Sequence, residues 1–353
     1  MLPNFEGIDL DGLAYEADKI DFPEPVHGRT VHIDADFLAY QVSYEKEDTA
    51  DVKTFEDMKH NAEIAVETLQ ALAGATAVHL HLTPATSNKG NRGQLAVIKE
   101  YQANRKDKPK PRYLHIMRKW LSERFPGTLH ELCEADDGMS SAQYLAIKEG
   151  RSNLSIIASK DKDLRMVPGL HLDWDTGTIR EYDAFGAISI IEKQTSNGIV
   201  KKLTGYGHKW FWAQMLTGDT ADNISGLPKI SGRVLNVLQP TKAILKVKEE
   251  LAQPGISDKK RKDLEQVLAS RTSKSVGPAM AFDLIGKLNT EKSCYHAVKE
   301  LYKLYGEETG YQHWSDGSSV PWGKAFLSEA QLLWMRENPH NDNCVLDYWR
   351  QIA

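Results

Sequence analysis

The sequence predicts an α/β fold, a central and mostly parallel β-sheet followed by a mostly helical part. Short apolar runs of strand length alternate with stretches of helical periodicity over the first half of the chain. Four acidic clusters fall where a buried strand or core helix ends, which is where ligands bind in such sheets. After Gly218 the texture changes to helical patterns separated by Gly/Pro turns.

Residues 1–28, with Pro23 and Pro25, read as an extension draped on the surface. Residues 30–40 give a strand, with Val31 and Ile33 buried, leading into a loop or helix start. Residues 57–72 carry Met58, Ala62, Ala65 and Leu69 at helical spacing. Residues 78–82 form the next strand; its His79 and His81 receive no role. Residues 84–111 have few apolar side chains and many Gly, Asn and Lys, so they are expected to be mobile or partly helical. Residues 113–125 make an amphipathic helix on Leu114, Met117, Leu121 and Phe125. Residues 136–148 make another, with its acids near the N-terminus, where they suit the free amides and the dipole. Residues 154–158 are a near-continuous apolar run, as in the middle of a parallel sheet, and residues 170–174 form a further strand.

At 353 residues the chain has room for two domains, and its 41% hydrophobic and 26% charged content is that of a globular protein. Cys133, Cys294 and Cys344 are scattered, with no CxxC pair, which argues for a reducing compartment and against a zinc site. No apolar run approaches about 18 residues, and no signal peptide opens the chain, so a cytoplasmic location is expected. The net charge of −5 conceals a basic tract: residues 89–119 hold ten Lys or Arg against two acids, Glu100 and Asp107.

The acidic clusters are Asp34-Ala35-Asp36, Glu134-Ala135-Asp136-Asp137, Asp161-Lys162-Asp163, and Asp219 with Asp222. Each alone suits a turn or a helix cap. Carboxylates from neighbouring strand ends cannot share a small volume without a cation. Hard oxygen ligands select Mg²⁺ or Mn²⁺, and a pair of such ions suits phosphoryl chemistry. This pattern points to a metal-dependent nuclease.

The runs HIDADFLAY, ELCEADDGMSS, IIASKDKDLRMV and MLTGDTADNISGLP resemble, in this order, the 5′-nuclease (flap endonuclease) family, most of all its bacteriophage 5′→3′ exonuclease branch. Tyr101-Gln102-Ala103-Asn104-Arg105 resembles that family's arch-base motif, and the resemblance spans residues 31–288. It implies a PIN-like α/β core, two Mg²⁺ ions that Mn²⁺ could replace, and a helix-hairpin-helix element for duplex DNA. Carried over, Asp34, Glu134, Asp136 and Asp137 would build the first metal site, with Asp161 at its border. Asp163, Asp219 and Asp222 would hold the second ion. Asp36 would be outside the ligand set or orient the loop.

Two departures stand out. No Asp or Glu occurs between Glu67 and Glu100, so Thr83 and Pro84 occupy the place of a further metal-site acid. Gln102 replaces the arch-base lysine, leaving Lys99 or Lys106 as substitutes.

For DNA, the basic tract contributes Arg92, Lys99, Arg105 and Lys106, and Tyr101 could stack on a base. The turn holding Gly226, Lys229 and Gly232 is the favoured phosphate clamp, with the Gly277 turn as the other candidate. The expected organisation is an extension (1–28), a catalytic core (29–217) with an arch-like basic segment (85–119), a DNA-binding region (218–290) with a charged insertion (240–275), and a helical C-terminal region (291–353). The expected activity is cleavage of DNA at 5′ ends or flaps, in a phage setting in the host cytoplasm, with RNA:DNA hybrids as further substrates. The rivals are a PIN-type ribonuclease and a branched-DNA-binding protein with weakened catalysis.

Overall fold

The computed structural model describes residues 22–44, 53–106, 108–195 and 198–353; most of the expected N-terminal extension lies outside them. Strand β1 (Val26–Asp34) passes directly into helix α1 (Ala35–Ser43), because Asp34 Oδ1 accepts from the Phe37 amide at 2.9 Å and caps the helix. Helix α2 (Phe55–Leu72) starts at a capping box in which Thr54 and Asp57 exchange side-chain-to-amide hydrogen bonds. Strand β2 (Ala75–Leu82) runs parallel to β1, with His32 opposite His79 and Asp34 opposite His81. A short helix α3 (Arg92–Leu95) and helix α4 (Leu114–Arg124) lead to edge strand β3 (Gly127–Leu129). Helix α5 (Ala135–Lys148) crosses to β4 (Ser155–Ala158), and β5 (Gly169–Leu172) and β6 (Ile179–Tyr182) complete the sheet.

The strand order is β3-β2-β1-β4-β5-β6, and every neighbouring pair is parallel except β5 with β6. The chain builds outward from β1 through β2 on one side and from β4 on the other. The carboxyl ends of β1 and β4 are therefore the topological switch point, where a crevice opens. One face of the sheet buries Val31, Ile33, Leu80 and Ile156 against α1, α2 and α4. The other face receives α5 and joins the larger core through Met139 and Ile157.

An antiparallel ribbon, β7 (Ala187–Thr195) and β8 (Gly198–Tyr206), precedes helix α6 (Gly207–Thr217). Residues 207–216 of α6 are all buried, which explains why Trp210, Phe211, Trp212, Met215 and Leu216 leave it no polar face. Helices α7 (Gly232–Leu238), α8 (Lys242–Leu251), α9 (Asp258–Ala269), α10 (Pro278–Ile285) and α11 (Glu291–Glu308) follow. A small ladder of β9 (Tyr311–Gln312) and β10 (Ser319–Val320) leads to α12 (Trp322–Leu333) and α13 (Cys344–Ile352). Among the described residues, no helix is long and apolar enough to cross a membrane.

Of the two forms expected for the basic segment after β2, the structure shows the partly helical one, in α3 and short 3-10 turns at Lys89–Asn91 and Ala103–Arg105. The Val97 amide donates to Ser328 Oγ, the Trp314 indole donates to the Ala96 carbonyl, and Ala96 and Val97 are buried. The C-terminal helices thus fasten the segment to the core.

The charged insertion has a narrow neck. Ile230 and Lys274 exchange backbone hydrogen bonds of 2.8 and 2.9 Å, and Arg271 Nη1 donates to the Gln239 carbonyl at 2.9 Å. Neither α8 nor α9 contributes to the main core cluster. Replacing residues 242–269 by a short Gly/Ser link should therefore shift the thermal midpoint by only a few degrees, because the ends already meet. Loss of cooperative unfolding by calorimetry would show that the insertion supports the core.

Candidate metal centre

Each acidic cluster is delivered by a separate element. Asp34 ends β1, and Ser159 Oγ donates to its Oδ2 at 2.9 Å. Asp161 and Asp163 follow β4 in a tight turn where the Asp163 amide donates to Asp161 Oδ1 at 2.8 Å. Glu134, Asp136 and Asp137 occupy the N-cap and first turn of α5. Asp219 and Asp222 follow α6 in a loop closed by paired backbone hydrogen bonds between Asp219 and Ile224. Gly218 makes that reversal possible: its φ is +70°, and a Cβ there would lie 2.4 Å from the Ile224 carbonyl oxygen.

Ligand atoms of Asp163, Asp219 and Asp222 lie within 4.8 Å of one another. The chain's own cations hold this triad: Lys162 Nζ is 3.0 Å from Asp219 and 3.4 Å from Asp163, and Arg105 Nη2 is 2.5 Å from Asp222. Burial and the charges of Asp161 and Asp219 push the Asp163 carboxyl well up. Burial acts on Asp219 in the same direction, but the charge of Lys162 together with hydrogen bonds from the Ala221 amide, Asp163 and Lys162 outweighs it and holds that group below the ordinary range. Burial opposes the charge on Lys162 as well, yet Asp163 and Asp219 keep its pKa raised. Lys162 stands where a cation is wanted.

Asp34, Asp136 and Asp161 form the less compensated group. Burial pushes Asp34 up to about 7, helped by the charges of Asp36 and Asp161. Burial also raises Asp136 well above the carboxylate range, with Asp161, Asp34 and Glu134 adding to it. Asp161 is raised too, first by burial. Among the described residues no Lys, Arg or His forms an ion pair with Asp34 or Asp136. Oxygen-only donors of this kind suit a hard divalent cation, but among the described residues only the Asp163, Asp219 and Asp222 triad brings three ligand atoms within 4.8 Å, so the structure does not gather Asp34, Asp136 and Asp161 to that distance.

Glu134 faces this centre and is bound from three sides. Tyr101 donates its hydroxyl to Oε2 at 2.8 Å, Gln102 Nε2 donates to Oε1 at 3.3 Å, and Arg92 Nη1 lies 3.1 Å away. Gln102 also donates to Asp222 Oδ1 at 3.1 Å and accepts from Lys89 Nζ at 2.6 Å. The lysine that reaches Gln102 is thus Lys89, whereas Lys106 pairs with Glu100 at 2.6 Å and Lys99 is exposed. Asp36 is tied to the Thr83 amide at 2.9 Å and to Arg118 at 3.0 Å. Thr83 Oγ1 accepts from the Ala135 amide at 2.9 Å, so the residue in place of an acid fixes the start of α5.

Several sequence expectations need correction. Asp137 is fully buried and faces inward, where Arg92 grips it through two hydrogen bonds of 2.6 and 2.8 Å. Burial would raise its pKa, but Arg92 and Arg336 hold it below the usual range. Arg92 is only 1% exposed and cannot reach DNA. Tyr101 is buried with its hydroxyl on Glu134, so it is no stacking platform. The Gly226 amide donates to Glu329 Oε2 at 2.7 Å, and Gly232 packs against the backbone of Arg271, so neither is open to a phosphate. Lys99, Arg105, Lys106 and Lys229 remain exposed. The Gly277 turn is also open, with no atom within 4 Å of where a Cβ would be.

The fold and the site define an α/β protein with an acidic centre at the switch point of its sheet. Its structure is similar to that of the bacteriophage T5 flap endonuclease in a pseudo-enzyme–product complex with DNA and metal ions, at 13% identity and a TM-score of 0.41, covering 86% of this chain and 99% of that one. It is similar also to the T5 5′-exonuclease with divalent zinc ions, at 16% identity and a TM-score of 0.39, covering 77% and 98%. No protein-family model matches the chain, and no curated protein matches it.

Replacing Arg92 by Met should cost about 3–5 kcal/mol in urea denaturation, because Asp137 would be left buried and unpaired; a loss under about 1 kcal/mol would contradict the pairing. The raised Asp34 carboxyl makes stability depend on pH. A group with a raised folded pKa binds more protons folded than unfolded, so its contribution to stability falls as pH climbs from about 4 to about 7. In EDTA, Asp34→Asn should therefore be more stable than the unsubstituted protein at pH 8, with the gain shrinking toward pH 5. A gain that grows toward acid would reverse the assignment.

Proposed function

We propose that the protein is a divalent-metal-dependent nuclease that hydrolyses phosphodiester bonds at 5′ ends or flaps of duplex DNA. The observation that carries this reading is the convergence of carboxylates from four separate segments on one crevice at the switch point, beside the exposed Arg105 and Lys106. Asp34, Glu134, Asp136 and Asp161 would hold one Mg²⁺, and Asp163, Asp219 and Asp222 the other, with Mn²⁺ as a substitute. Such ions, when bound, supply Lewis-acid stabilisation of phosphoryl oxygens and a more acidic attacking water.

The chain's own residues position the substrate. Lys162 and Arg105 must leave the triad as a divalent ion arrives, and Arg105 then becomes free for a phosphate oxygen. Lys89 brings its charge to Gln102, between Glu134 and Asp222, where the displaced arch-base lysine would have acted. The duplex would lie along Lys229 and Lys274 and on the open N-terminus of α10, where free amides favour a phosphate. RNA:DNA hybrids would bind through the same backbone contacts. A phage setting and action in the host cytoplasm rest on the sequence resemblance.

The test is a 5′-labelled duplex, with and without a flap, incubated with Mg²⁺, Mn²⁺ or EDTA. Metal-dependent release of short 5′ products, lost in Asp163→Asn with DNA binding retained, is expected. Tight flap binding without cleavage in either metal would contradict the nuclease reading and favour the weakened binding protein that Pro84 and Gln102 suggest. Lys89→Ala should lower kcat roughly a hundredfold with little change in flap affinity; an unchanged kcat would remove Lys89 from the site.

A further inference from the structure

Behind the acidic crevice, on the face of the sheet that α5 only partly covers, lies a cavity of about 530 Å³ lined by histidines. Strand alternation puts His32 of β1 and His79 and His81 of β2 on this one face, since Val31, Ile33 and Leu80 turn to the other. Their ring centroids form a triangle with sides of 5.8, 5.2 and 4.9 Å. Three imidazoles on one tetrahedral ion, with metal–nitrogen bonds of about 2.05 Å, have centroids about 5 Å apart and nitrogens about 3.3 Å apart. His32 Nδ1 and His81 Nε2 are 3.0 Å apart.

Two of the three remaining nitrogens have partners of the kind that orient metal-ligating histidines. His81 Nδ1 is 2.9 Å from His130 Nε2, and His79 Nε2 is 2.9 Å from Thr128 Oγ1.

We propose that His32 Nδ1, His79 Nδ1 and His81 Nε2 bind a transition-metal ion of the zinc class, with a fourth position open to the cavity. Imidazole ligands suit Zn²⁺, Co²⁺ or Ni²⁺ and not Mg²⁺, so this centre is chemically distinct from the carboxylate one. Among the described residues only the acidic triad already has three ligand atoms within 4.8 Å, so the histidine rings must rotate to close on an ion. The His32–His81 hydrogen bond is the contact the ion would replace. The expectation against zinc drawn from the cysteines does not bear on this site, which uses none of them.

The probe is Co²⁺ added to the full chain carrying Asp163→Asn and Asp219→Asn, which removes the carboxylate triad. Tetrahedral nitrogen ligation gives strong visible absorption, whereas six-coordinate oxygen sites absorb weakly. One equivalent of strongly absorbing Co²⁺ is expected, displaced by Zn²⁺ and not by excess Mg²⁺. His79→Gln, at a partly exposed position that leaves the fold intact by circular dichroism, should abolish the band. Thr128→Val should weaken Co²⁺ binding about ten- to a hundredfold. Absence of the band in the parent, or an unchanged band in both His79→Gln and His32→Gln, would overturn the site.

Discussion

Mutual repulsion among carboxylates at the carboxyl ends of β1 and β4 is the constraint around which the rest of the molecule is arranged. The switch in strand order puts Asp34 and Asp161 on adjacent strand ends, and α5 and α6 bring further acids to the same crevice. Among the described residues, Asp34 and Asp136 have acids and no cation as charged neighbours, and burial raises both. The neighbouring triad is quieted by Lys162 and Arg105. The proposed metal reading rests on this uneven supply of internal cations.

The C-terminal region acts on this centre from behind. Arg92, held by Asp137, also points toward the carbonyls of Leu332 and Trp334, while the Arg336 amide donates to Asp137 and its guanidinium binds the Gly90 carbonyl. These contacts fix the first turn of α5, and with it the direction of Glu134 and Asp136. They also fix the loop that carries Lys89 to Gln102. A buried ion pair of this kind adds little net stability, but it sets geometry, because removing either partner strands a charge.

Much of the fold was legible in the sequence. The helices at 57–72, 113–125 and 136–148 and the strands at 78–82, 154–158 and 170–174 stand out by period and lie near their observed places. The four acidic clusters were equally visible. Strand β3 was not, since its three residues are all exposed and carry no alternation, and the β7–β8 ribbon escaped because exposed Ile191, Ile199 and Val200 obscure its buried face. The inward turn of Asp137 could not be read either: adjacent Asp136 and Asp137 look alike in sequence, and only the arrival of Arg92 and Arg336 from distant segments separates them. Lys162 was in plain view between two aspartates, whereas nothing local pairs Lys89 with Gln102.

If these acids are gathered for divalent cations, thermal unfolding must respond to Mg²⁺ concentration. Binding to the folded state alone raises the midpoint with ligand concentration. The midpoint should climb steadily from EDTA through millimolar Mg²⁺, and the climb should be much reduced in a chain carrying both Asp136→Asn and Asp163→Asn. A midpoint that ignores Mg²⁺, or rises equally in that variant, would mean that the crevice is not a metal centre.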